Sequence, residues 1–151
     1  MANFQGDCDG DTHGRVLTTV TIENLQDLWD VDREMLTADQ VRRVTLPDAL
    51  VDTGATYLSM PARLIAQLGL PKMLTRKITT SIGPSEAFVY GPVRLTIDGR
   101  FCNVDVMQVP DSVPVLVGQV PLELLDFVVD PKRQRLIGNP AHGGEHVIEA
   151  Y

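Results

Sequence analysis

Aromatic residues are scarce in this chain: four Phe, three Tyr and one Trp among 151 residues. Any core must therefore be aliphatic, drawn from short runs of Val, Leu and Ile. Cysteine is scarcer still, with only Cys8 and Cys102, widely separated and without CxxC spacing. That pattern argues against a disulfide framework and fits free thiols in a reducing, cytoplasmic setting. No apolar stretch approaches the roughly 20 residues that a helix needs to span a bilayer, so no membrane partner is expected. Cations are the minority sign: 13 Lys and Arg against 20 Asp and Glu give a net charge of −7. Such a balance would not neutralise phosphates, which argues against a nucleic-acid binder. Residues 1–14 (MANFQGDCDGDTHG) lack the basic and apolar regions of a signal peptide and read as a flexible acidic arm.

The remainder suffices for one domain with a real core, expected over residues 15–140 and followed by a tail over 141–151. Most of it reads as short strands. Val16, Val20 and Ile22 alternate onto one face, and an extended pattern returns over 41–51, ending in Ala49-Leu50-Val51. Between them, residues 23–40 form a charged, partly helical excursion with six acids around Trp29, which is expected to anchor it to the body of the protein, an interface role being the alternative. Ser59 is expected to cap a helix near 60–68, with Leu64, Ile65 and Leu68 on one face and Gly69 closing it. Residues 78–82 and 87–90 flank Gly83-Pro84-Ser85 as a hairpin, and Asp98-Gly99 joins two further alternating segments. Residues 113–117 form another strand, 121–125 at most one helical turn, and Asp130-Pro131-Lys132 a last turn. One clear helix among many strands, with turns about every ten residues, predicts a mostly β, closed barrel-like or sandwich fold.

Asp52-Thr53-Gly54 stands out chemically. Alone it is weak, since composition produces such a tripeptide by accident in roughly a few per cent of chains this size. It then reads as an Asx turn. Here an apolar strand delivers Asp52 directly, and an isolated charge at the end of a buried element is costly unless it is satisfied. Hydrolysing a peptide without a metal or covalent intermediate requires one carboxylate to activate water while another carboxyl donates a proton. Two aspartates held close cannot both ionise, so the pair supplies base and acid together. Thr53 offers a hydroxyl to lock the turn, and Gly54 lets backbone amides approach the carboxylate. The chain has no second D-[ST]-G, so this chemistry demands a two-fold dimer.

From about residue 16 to 139 the sequence resembles the retropepsin-like aspartic peptidases, in particular their bacterial single-lobe members. Three segments carry the resemblance: Ala49-Leu50-Val51-Asp52-Thr53-Gly54-Ala55-Thr56, the strand-hairpin-strand over 78–90, and Val115-Leu116-Val117-Gly118. The resemblance implies an acid-protease fold and an aspartic endopeptidase acting as a homodimer on peptide or protein substrates, without a cofactor. Asp52 would be catalytic, supported by Thr53, Gly54 and Ala55, with Thr53 bonding across the dimer axis. Ile82, Gly83 and Pro84 would belong to a flap over an extended substrate. This tip departs from the family's glycine-rich flap, which leaves open a second class: a dimeric binding or scaffolding module that keeps the fold without turnover.

Other motifs carry less. His142-Gly-Gly-Glu145-His146 would need a helix to bring both imidazoles together, and two glycines oppose one, so no metal is expected. Asp7, Asp9 and Asp11 alternate like a calcium loop but lack its later glutamate. Cys102 falls at an inward strand position and reads as a small core residue. Val147-Ile148 reads as either a frayed tail or a dimer strand.

Overall fold

The computed structural model describes residues 15–147. In chain order these form β1 (Val16–Asn24), α1 (Leu25–Asp32), β2 (Arg43–Val51), β3 (Leu58–Pro61), α2 (Ala62–Leu68), β4 (Lys72–Thr80) and β5 (Gly83–Ile97). There follow β6 (Arg100–Val109), β7 (Leu116–Val117), α3 (Gln119–Leu125), β8 (Phe127–Asp130) and β9 (Arg135–Gly138). Hydrogen bonding runs β1-β2-β7-β3-β6-β5-β4, and β1 pairs again with β5. The sheet thus closes on itself, leaving β4 outside the ring, which is the expected mostly β, barrel-like architecture. β8 and β9 make a separate two-stranded ribbon. No helix among the described residues is long and apolar enough to cross a membrane.

The alternation read from the sequence fills the ring. Val20, Ile22, Val93, Leu95, Val106 and Val117 are essentially inaccessible, and Cys102 sits in the same core. Burying each such aliphatic side chain is worth roughly 1.5–3 kcal/mol. β1 faces β2 in register except where Thr19 opposes Pro47-Asp48. Proline cannot donate to the ladder, so a bulge is where a strand tolerates it. β5 does two jobs: residues 93–96 pair with β1 inside the ring, while residues 83–90 pair with β4 as a projecting hairpin. A register shift between Tyr90 and Val93 divides the halves.

The 23–40 excursion is partly helical, as read from the sequence. It contains a full helix, α1, because the Asn24 side chain accepts the Asp27 N–H at 3.1 Å as an N-cap. Trp29 is 40% exposed and is not the anchor. Leu25 and Asp27 are buried instead. Asp27 takes a two-pronged bond from Arg42 (Nε to Oδ2 2.9 Å, Nη2 to Oδ1 3.0 Å), while Asn24 Nδ2 donates to the Leu68 carbonyl. The Arg42 guanidinium holds the Asp27 carboxyl below its ordinary range against the opposing effect of burial.

Ser59 does not cap α2. It is buried in β3, paired with Leu116 and Met107, so the sheet claims its backbone and the helix starts at Ala62. The first turn is served from a distance, by Asp111 Oδ1 accepting the Arg63 N–H at 3.0 Å. α3 is also longer than one turn, because it begins at Gln119 and carries Pro121 within its first turn, where proline is tolerated.

After β9 the chain folds back on α3. Asp126, left-handed at φ 59 and buried, accepts Asn139 Nδ2 at 3.1 Å, His142 Nδ1 at 2.7 Å and the Val147 N–H at 3.0 Å. Burial raises its pKa, but these bonds prevail and hold it at about 2. Arg100 donates to the carbonyls of Leu125, Asp126 and Gly144. His146 Nε2 meets the Leu124 carbonyl, so the two histidines go to different partners. Among the described residues no cluster of three potential metal ligands occurs. Asp7, Asp9, Asp11, Cys8 and Ile148 lie outside the described residues.

Candidate active site

The apolar end of β2 and the short strand β7 run parallel, pairing Leu50 with Leu116 and Val51 with Val117. This pairing sets Asp52. Its own N–H donates to the Val117 carbonyl at 3.0 Å, and the Leu50 N–H donates to Val115 at 2.8 Å. The backbone of Asp52 is therefore fixed by the core just where its side chain leaves it, partly exposed. The turn then closes on itself. Gly54 N–H donates to Asp52 Oδ1 at 3.0 Å, and Ala55 N–H donates to the Asp52 carbonyl at 3.1 Å. A Cβ on Gly54 would stand 3.2 Å from Oδ1, so glycine is what lets this amide reach the carboxylate. Thr53 is exposed. Its hydroxyl has no hydrogen-bond partner among the described residues.

The outgoing loop is clamped by the segment after β7. Gly118 N–H donates to Tyr57 at 3.1 Å, Gln119 N–H to Ala55 at 2.8 Å and Val120 N–H to Thr56 at 2.9 Å. Contact here is too close for a side chain. A Cβ on Gly118 would meet Tyr57 O at 2.6 Å, Thr56 C at 2.7 Å and Ala55 O at 2.8 Å, all backbone atoms. Its φ of −89 is ordinary, so close approach and not backbone conformation requires glycine at this position. Two of the three segments singled out in the sequence, Asp52-Thr53-Gly54 and Val117-Gly118, are thus one structure.

The hairpin is present but turns elsewhere than expected. Thr80 pairs with Gly83, so Ser81 and Ile82 form the tip, and Gly83-Pro84-Ser85 already belong to β5. The Thr80 hydroxyl, donating to the Gly83 carbonyl at 2.8 Å, closes the turn one step earlier than glycine and proline suggested. Ile82 is 97% exposed at its end. The arm starts at Lys72, well before residue 78.

Hairpin and loop border one cavity of about 240 Å³. Tyr57 comes to it from the Asp52 loop, Leu58 from the start of β3, Leu74 and Arg76 from β4, and Val120 from α3. Tyr57, Leu74 and Val120 are large apolar side chains left exposed around this cavity. Sequence reading passed over all three. The available signals were position: five residues after Asp52, two after Gly118, and alternate residues on one face of an extended arm.

This arrangement presents one carboxylate, held by the Gly54 N–H at the end of a core strand, on a loop whose Tyr57 lines an apolar cavity that the hairpin also borders. No curated protein matches the chain. The aspartyl protease family profile matches residues 37–139, a span holding both the Asp52 turn and Gly118, and the chain belongs to this retropepsin-like family.

Proposed function

We propose that the protein is an aspartic endopeptidase that works as a homodimer, with Asp52 from each chain forming the catalytic pair. What supports this reading most is the position of Asp52: backbone fixed by β7, carboxylate partly exposed, and a single Asp-Thr-Gly per chain. A water held between the two carboxylates attacks the scissile carbonyl. One carboxylate takes a proton from the water while the protonated partner gives its own to the carbonyl oxygen. The proton taken from water then passes to the leaving amine, and as the C–N bond breaks a hydroxyl of the tetrahedral intermediate returns its proton to the partner. Gly54 N–H keeps Asp52 oriented, and the unpartnered Thr53 hydroxyl reaches the neighbouring chain. Ile82, Gly83 and Pro84 act as the flap, closing on an extended peptide laid across the exposed Tyr57 and Val120. The protein works in the cytoplasm, consistent with a free, buried Cys102. Replacing Asp52 by Asn is the test: cleavage of a peptide library should vanish while the sedimentation coefficient and melting curve stay unchanged. Residual cleavage at the wild-type rate would refute the assignment.

A further inference from the structure

The hairpin beside the site carries charge of the opposite sign to the rest of the molecule. Lys72, Arg76 and Lys77 outnumber one acid, Glu86, within residues 72–90, which leaves that segment at +2 and the remainder of the chain at −9. The three cations are not equivalent. Lys72 lies over the Phe88 ring at 4.2 Å. Arg76 shares with Leu74 the face of β4 that lines the 240 Å³ cavity, and Lys77, one residue on, points to the other face. Arg76 is exposed and makes no ion pair among the described residues.

The cavity walls near it are apolar, from Leu58, Val89, Val106 and Val120. A guanidinium beside such walls is a site for a carboxylate on an aliphatic stem, which the fork geometry of arginine grips in a bidentate way. Asp105 is the one acid lining the cavity. It sits at the root of the hairpin, its Oδ1 3.1 Å from where a Gly91 Cβ would stand. Arg76 lies further out along the hairpin, opposite Ala87, and is exposed.

We propose that Arg76 determines specificity: the site takes acidic peptide segments, and a substrate glutamate lays its methylenes on the apolar walls and its carboxylate on Arg76. This rests on the peptidase reading and adds its substrate class. The test uses the full chain and a peptide library varied at every position around the cut. The wild type should enrich Glu over Gln and Lys at one position beside the cut. Arg76→Gln should remove that enrichment and raise KM for the best glutamate peptide ~3–10-fold, with kcat held within about twofold. Arg76→Glu should favour Lys there. Lys77→Gln, an equal charge change on the opposite face, should leave the preference intact. Cleavage without Glu enrichment, or enrichment that survives Arg76→Gln, overturns the inference and leaves the peptidase reading standing. If the wild type cleaves nothing, the peptidase reading falls and binding decides this one. Tighter binding of a glutamate peptide pool than of its glutamine counterpart, lost in Arg76→Gln, supports it; equal binding overturns it.

Discussion

Substituting Gly118 by Ala should disable the site without touching a carboxylate. The added methyl would stand 2.6 to 2.8 Å from three backbone atoms of residues 55–57. None of these is the end of a flexible side chain, so either the loop or α3 must move. Three main-chain bonds span that contact, from Gly118, Gln119 and Val120 to Tyr57, Ala55 and Thr56. Each contributes about 0.5–1.5 kcal/mol net, and overpacking alone costs about 1–3 kcal/mol. A loss of about 3–5 kcal/mol follows, a large share of the 5–15 kcal/mol typical of a folded domain. At about 2–4 °C per kcal/mol, the melting temperature should fall by roughly 6–20 °C. Because the same loop carries Asp52, cleavage should fall by about 100-fold even at temperatures where the variant is folded, as a displacement near 1 Å suffices for that. Thermal melts and initial rates on the same preparation read both effects. A melting temperature within about 2 °C of wild type with normal cleavage would show that the Gly118 contact does not fix the loop.

Gly99 offers the contrast: nothing lies within 4 Å of its Cβ position, but its φ is +81, so Gly99→Ala should cost only about 1 kcal/mol and leave activity alone. Arg42→Ala should destabilise by about 1–2 kcal/mol in chemical denaturation, a figure discounted because the guanidinium is half exposed, and should loosen α1 in hydrogen exchange. Asp126 has a folded pKa depressed to about 2, so its contribution is present above the ordinary carboxylate value of 3.8 and is lost as pH falls from there toward 2. Asp126→Asn should lower the melting temperature at pH 7 and flatten the melting curve's pH dependence across that window.

The parts of this fold that were legible in the sequence are those fixed by local periodicity or by one residue's stereochemistry. Val16, Val20 and Ile22 declared an inward face, Asp98-Gly99 a tight hairpin, and Gly69 the end of α2 with φ 65. The Asp52 turn was legible because its bond to Gly54 spans only two residues. What was missed depends on distant partners. Ser59 has the chemistry of a cap, but β6 and β7 draw it into the sheet and leave that task to Asp111. The anchor of the acidic excursion is Asp27 rather than the conspicuous Trp29, because Arg42 lies 15 residues away. The hairpin tip fell on Ser81 and Ile82 because the Thr80 side chain closes the turn. Arg76 gave no signal alone; only β4's register beside the cavity distinguishes it from Lys77.

The central claim is that two Asp52 side chains act together, and subunit exchange tests it directly. Wild-type chains at fixed concentration are equilibrated with a fourfold excess of Asp52→Asn chains, well above the dimer dissociation constant. Random pairing leaves about one fifth of the wild-type chains in wild-type dimers, so cleavage should fall to about one fifth. A rate that does not change on mixing would mean that one chain suffices, and would contradict the account.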